Sequence, residues 1–322
     1  MNTPLSWWGI VRLGLVQTSL GAIVVMTTST LNRVMVVELA LPALLPGMLV
    51  ALHYFVQLSR PRFGHGSDKG QRRTPWIIGG MTVLGAGGVL AALATSLMAS
   101  STSAGIALAV AAFILIGAGV GASGTCLLVL LAASVAPERR PAAASITWIM
   151  MIVGFAVTAG VAGAFLDPFS FPRLVTISTI VAIIAVTTTV LALHGLEQER
   201  SPVVTAMAPR SHNFRDALNE VLSEPHTRRF ALFVFVSMLA YSAQDLVLEP
   251  FAGAVFGFTP GESTTLSSFQ YQGILIGMLV VGGLGPRLGT LRSWMVAGCA
   301  GSAVAMLLLM SAGFVGQALS LI

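Results

Sequence analysis

Residues 60–76 read "RPRFGHGSDKGQRRTPW", a short polar stretch in an otherwise greasy chain. It carries five of the 17 basic residues of a protein in which only 9% of residues are charged. Gly64, Asp68, Lys69, Gly70, Arg72 and Arg73 stand in the pattern G-x-x-x-D-K-G-x-R-R. Such a stretch reads as a hydrophilic turn between two membrane helices, and the rest of the sequence supports that reading.

Of 322 residues, 55% are hydrophobic, with 34 glycines and 14 methionines, and the mean hydropathy is +0.87. A soluble domain of this size carries roughly a quarter charged residues. Apolar runs of about 18 or more residues recur, each long enough to cross about 30 Å of hydrocarbon. The sequence predicts an all-α polytopic membrane protein.

The basic residues are not spread evenly. Residues 60–73, 139–140, 200–229 and 287–292 hold 14 of the 17, and these segments are alternate connections along the chain. The intervening connections hold almost none. Clustering in alternate loops is the pattern of cytoplasmic segments in membrane proteins. The high isoelectric point therefore reports topology, and nucleic acid is excluded as a partner.

Nine spans are expected, over residues 12–37, 42–59, 75–98, 106–133, 143–165, 174–194, 230–251, 268–285 and 293–312. Trp7 and Trp8 precede the first as an interfacial pair. No signal-peptide cleavage site stands near the N-terminus, so the first span is expected to remain. Thr74 is placed as N-cap of the third span, with Pro75 at its first helical position. Residues 195–229 form the long hydrophilic connection, dividing a six-helix part at 1–194 from residues 230–322. Cys126 and Cys299 sit in apolar surroundings and read as free thiols packed like small hydrophobes. No CxxC or His/Cys spacing suggests zinc. Gly117, Gly119, Gly121 and Gly124 read as a site of close helix contact.

The motif of residues 64–73 resembles the cytoplasmic loop motif of the major facilitator superfamily. A degenerate copy is expected six helices later if the fold is two repeats. "GGLGPRLGTLR" supplies it, with Gly282, Pro286, Arg287, Gly289 and Arg292 in similar register and proline in place of the aspartate. The glycines are expected to permit a tight turn, with Asp68 bonding backbone N–H groups or a neighbouring arginine. The resemblance implies a latch between the two halves; the alternative is that the arginines only fix topology.

Longer segments narrow the resemblance. "LGAIVVMTTSTLNRVMVVELALPALLPGMLVALHY", "RPRFGHGSDKGQRRTPWIIGG" and "MLAYSAQDLVLEPFAGAVFGFTPGES" are similar to the PucC/LhaA family, the bacteriochlorophyll-delivery-type members of that superfamily. The resemblance covers essentially the whole chain. It implies an assembly factor for light-harvesting complexes that handles bacteriochlorophyll. It further implies light-harvesting polypeptides, the reaction-centre complex and pigment synthesis enzymes as partners. The implied location is the bacterial inner (intracytoplasmic photosynthetic) membrane, with a cytoplasmic N-terminus. The superfamily pattern has twelve helices, and the latch partner is expected on the eleventh, beyond the nine counted here. That bears on a complete alternating-access cycle more than on a scaffolding role.

Three places carry candidate chemistry. "YSAQDLVLEP" puts Asp245, next to Gln244, four residues before Glu249 and hence on one helix face. At 1.5 Å per residue, Asp245 lies about 24 Å and Glu249 about 30 Å beyond Arg229, and Arg33 about 32 Å beyond Arg12. All three are expected near the outer edge of the hydrocarbon. The first and seventh helices are symmetry mates in the resembling fold, so Arg33 is expected to pair with either acid, as a gate or docking site or simply as a solvated interface. His53, about 10 Å inward from Arg60, is a candidate ligand for the magnesium of bacteriochlorophyll, or a histidine bonded to a neighbour. No nucleophile, base and orienter stand together, so no enzymatic role is expected. Besides pigment handling, a proton-coupled small-molecule transporter fits Asp245 and Glu249, and a purely structural subunit is a third reading.

Overall fold

The computed structural model describes residues 5–69, 72–197, 223–284 and 288–315, and among them all regular structure is helical. Helix α1 is a continuous run, Trp7–Glu38. It is followed by α2 (Leu44–Val56), α3 (Arg60–Lys69), α4 (Thr74–Met98) and α5 (Thr102–Ser134). Then come α6 (Arg140–Leu166), α7 (Phe171–Leu193), α8 (Pro225–Phe256), α9 (Pro260–Leu284) and α10 (Leu291–Val315). Eight of these are long and apolar enough to cross a membrane. The expected second span is shorter than the rest. Its α-helix starts only at Leu44, gives way to a 3-10 turn at Gln57–Ser59, and continues into the polar α3.

Local chemistry sets the ends. Ser6 accepts a hydrogen bond from the Gly9 N–H at the start of α1, and Ser170 accepts one from the Arg173 N–H at the start of α7. Helix α8 closes on Gly257 at φ +69°, a left-handed position that costs glycine no Cβ clash. It begins at Pro225, so it takes the last residues of the expected hydrophilic connection into the helix.

The motif region departs from the expected tight turn. Gly64 lies inside α3, while Gly70 lies outside the described residues, as do Pro286 and Arg287 of the degenerate copy. Gly66 works by packing: a Cβ there would stand 2.9 Å from the Trp76 ring. Nor does Thr74 cap α4. Arg73 occupies the cap position, and the carboxylate of Glu197, from beyond α7, accepts the Arg73 N–H at 2.7 Å and the Thr74 N–H at 2.8 Å. A carboxylate on a helix N-terminus meets both the orphan donors and the helix dipole.

Glycine packing draws α5 against α4 and α2. A Cβ on Gly119 of α5 would come within 2.5 Å of the Leu84 nitrogen and 2.7 Å of the Gly80 oxygen, both α4 backbone. Gly117 stands equally close to the α2 backbone, where a Cβ would lie 2.5 Å from the His53 oxygen. The sequence reading of these glycines as contacts is borne out, with Gly121 against Phe63 and Gly124 in ordinary contact with Leu20. Cys126 is buried there as expected, whereas Cys299 is exposed on α10.

Among the described residues, the connections around Arg73, Arg139 and Glu197 lie at one end of the bundle, the basic end. The Leu5 N–H donates to the Ser134 carbonyl at 3.0 Å, and the Arg139 guanidinium lies 5.2 Å over the Trp7 ring. Arg12 donates to the carbonyls of Ala192 and His194.

Candidate functional site

At the opposite end, α1 is not a regular α-helix. Two π-helical stretches, Met26–Thr30 and Val34–Glu38, flank Leu31–Arg33. The sequence "MTTST" explains the first in part. The Thr27 and Thr28 hydroxyls donate back to carbonyls at positions 23 and 24, competing with the helical ladder. Such π-bulges recur at functional sites. Here they bury Ser29, Thr30, Asn32 and Arg33 on the side facing α8 and α9.

Arg33 is 1% exposed. It donates to the Glu38 carboxylate at 2.5 Å, forming an ion pair, and to the Phe258 carbonyl beyond the end of α8. This corrects the expectation that it pairs with Asp245 or Glu249. Residues five apart do not face one another on an α-helix, but the π-turn at Val34–Glu38 widens the helix so that they do. Gly253 of α8 makes room: a Cβ there would stand 3.1 and 3.2 Å from the Arg33 Nη2 and Nε.

Glu249 is wholly buried and held by neutral donors. The Ser267 hydroxyl donates to it at 2.6 Å and the Thr264 hydroxyl at 3.3 Å, both from α9. Thr264 in turn meets the Thr30 hydroxyl of α1 at 3.3 Å. One turn back along α8, Asp245 accepts from the Gln270 amide at 3.1 Å, with the Tyr241 and Tyr271 hydroxyls beside it. Gln244 is half-buried next to it. The Asn32 amide donates to the Leu246 carbonyl at 2.7 Å. A charge in hydrocarbon costs at least about 2.5 kcal/mol, and these partners offset part of that cost.

The α9 side of this seam is what sequence reading missed. The eighth span was expected to begin at 268, because "PGESTTLSS" is too polar for a hydropathy window. The helix instead starts at Pro260, and Ser263, Thr264, Ser267 and Ser268 are buried inside it. The missed signal was their spacing, with Tyr271, at three and four residues along one helix face. Ser268 also donates to the Ala156 carbonyl at 2.7 Å, and Gly160 and Gly163 of α6 lie against α9.

Asp167, between α6 and α7, closes the end. It accepts from the Thr259 hydroxyl and from the Gly261 N–H at the start of α9. Arg33, Val37, Glu38, Asp167, Phe169 and Phe258 help to line a cavity of about 700 Å³ there.

His53 lies apart from this seam, on α2. It is 2% exposed, its Nδ1 is 2.7 Å from the Val50 carbonyl, and its ring packs against Tyr54. It thus has the neighbouring hydrogen bond foreseen as the alternative to ligation. At the basic end, burial pushes the Glu197 carboxyl up, but the backbone N–H bonds from Arg73 and Thr74 and the Arg73 charge outweigh it and hold it below the usual range. The Asp68 and Lys69 side chains of the motif lie outside what the structure describes.

A multi-pass helical membrane protein with buried, hydroxyl-bound carboxylates at one end and basic connections at the other is the class that this fold and site define. Comparison with known proteins narrows it. The chain matches the family model "PUCC protein" over residues 30–322 and belongs to that family. It is 52% identical, over 96% of its own length and 72% of the relative's, to the "Bacteriochlorophyll synthase 44.5 kDa chain" of Rhodobacter capsulatus. It is 30% identical to "Protein PucC" of the same species over 86% of this chain and 62% of that one. The match to "Protein PucC" of Rhodovulum sulfidophilum is likewise 30%, over 86% of this chain and 63% of that one. The chain thus spans less than two thirds of the PucC relatives. The expectation of no enzymatic role is overturned by the first of these relatives, which is named as a chain of a synthase.

Proposed function

We propose that the chain handles bacteriochlorophyll in a photosynthetic inner membrane, joining pigment synthesis to the assembly of light-harvesting complexes. The observation that carries this is the 52% identity, along nearly the whole chain, to a protein named as part of bacteriochlorophyll synthase. Membership of the PUCC protein family supports the antenna side of the reading. Its partners are then light-harvesting polypeptides, the reaction-centre complex and pigment synthesis enzymes. Residues 1–194 act as one six-helix repeat and 230–322 as part of a second, of major facilitator type, joined by a cytoplasmic connection. The motif of residues 64–73 latches the halves, and the group of Arg33, Gln244, Asp245 and Glu249 works at the outer end.

A chain purified in mild detergent from pigment-replete membranes tests the reading. The expected result is red-shifted pigment absorbance, or co-purifying antenna polypeptides or synthesis enzymes. Neither would favour a proton-coupled transporter instead, the reading that Glu249, held by neutral hydroxyls, supports. His53→Ala lowers the pigment yield if His53 is a ligand, and unchanged yield removes it from the site. Single cysteines fix the orientation: Arg72→Cys is labelled from the cytoplasm and Ser101→Cys from the other face, and the reverse pattern overturns it.

A further inference from the structure

Near the basic end, α4 and α5 leave an open groove of about 370 Å³ between them. Its floor is made of small residues, Gly79 of α4 and Ala118 and Ala122 of α5. The rings of Phe63 and Trp76, with centroids 6.4 Å apart, stand at its mouth. From Trp76 to Val83 its α4 wall runs about 10 Å along the span. A Cβ on Gly79 would meet nothing within 4 Å, so the groove is open above that residue. No charged side chain lines it among the described residues. Such a groove offers packing to a lipid tail, but little preference among tails, since bulk lipid is equally apolar. Selection has to come from the mouth.

The mouth is basic. Arg62 directly precedes Phe63, and Arg72 stands four residues before Trp76. Both are exposed, and neither makes a hydrogen bond or ion pair with a described residue. Residues 60–73 hold five basic side chains against one acid, Asp68. Glu197 joins them from beyond α7, but its carboxylate is taken up by the Arg73 and Thr74 N–H groups. A net positive charge therefore remains where the groove opens. Arginines at such a place lay their stems along apolar surface and keep their heads at the polar boundary. Basic pockets between membrane helices take anionic lipid headgroups. We propose that the groove binds one acyl chain of an anionic glycerophospholipid, whose phosphate meets Arg62 and Arg72 at the mouth. The site stands whether or not the protein handles pigment.

The test titrates the full chain in mild detergent with dioleoylphosphatidylglycerol or dioleoylphosphatidylcholine and counts bound lipid by native mass spectrometry. The two lipids share their chains and differ in net charge. An arginine at a membrane surface is worth about fivefold in affinity for an anionic lipid, so two give about 25-fold. The anionic lipid is therefore expected to fill one site about 25-fold more tightly than the neutral one. Arg62→Gln and Arg72→Gln should each lower that affinity about fivefold and leave the neutral lipid unchanged. Gly79→Leu, which fills the groove from its open position, weakens both lipids. Val83→Phe fills it from the next turn of α4 and gives the same readout where Gly79→Leu lowers the folded yield. Equal affinities for the two lipids overturn the choice of headgroup. Unchanged binding in both arginine variants overturns the contact at the mouth, and unchanged binding in both filled variants overturns the groove. Dimers that are lost in Gly79→Leu and unaffected by lipid assign the groove to a second copy of the chain and overturn the lipid.

Discussion

The two ends of the bundle use the same device for different purposes. At the basic end, Glu197 caps α4, and the ties around it (Leu5 to Ser134, Arg12 to Ala192 and His194, Arg139 over Trp7) all run within residues 5–197. At the opposite end, Asp167 likewise meets the start of α9, but there the ties cross from α1 and α6 to α8 and α9. Arg33 reaches the Phe258 carbonyl, Asn32 the Leu246 carbonyl, Thr30 the Thr264 hydroxyl and Ser268 the Ala156 carbonyl. The burial of α8 follows the same division: the buried residues run from Leu248 to Gly253, while positions 228–236 are exposed. One end ties α1, α4, α5 and α7 to their neighbours, and the other ties α1 and α6 to α8 and α9. The buried polar side chains of this chain thus mark where α1 and α6 meet α8 and α9.

Breaking the contact between α4 and α5 should cost most. Gly119→Val puts a branched side chain against α4 backbone on both sides, where nothing flexible can yield. It is expected to destabilise by about 3 kcal/mol or more, read as a lower unfolding temperature or loss of folded yield. A loss under about 1 kcal/mol would show that the contact between α4 and α5 yields more easily than its geometry implies.

The ties among α1, α8 and α9 come next. Glu249→Leu leaves the Ser267 and Thr264 hydroxyls without their acceptor, at an expected cost of about 1–3 kcal/mol, while Glu249→Gln keeps an acceptor and costs less. Equal costs would mean that charge, and not hydrogen bonding, sets the preference. A double-mutant cycle sharpens the assignment of Arg33. Coupling with Glu38 is expected at about 0.5–3 kcal/mol and should exceed the coupling with Glu249. The reverse order would restore the pairing with the α8 acids.

Smallest is the cap at the basic end. Glu197→Ala is expected to cost about 0.5–2 kcal/mol, nearer the lower figure because the carboxylate is partly exposed. The folded-state carboxyl titrates below its ordinary range. Its contribution is therefore present above the unfolded value and is lost as pH falls through the folded one. The difference between wild type and Glu197→Ala in thermal stability should accordingly shrink in acid. A difference that grows in acid would contradict the capping role.

The sequence by itself determined the all-α, multi-pass class and the packing glycines, because hydropathy and small-residue spacing are local properties. The family was also legible in long segments of the chain. Tertiary structure alone decided which partners the charged residues take. Arg33 finds Glu38 only because a π-turn brings residues five apart onto one face. Glu249 finds Ser267 only because a stretch too polar to read as a span is helical and buried against its neighbours. Glu197 caps a helix that starts 123 residues earlier. A hydrogen bond joins atoms within about 3 Å in space, and no pattern along the chain encodes that distance until the helices have packed.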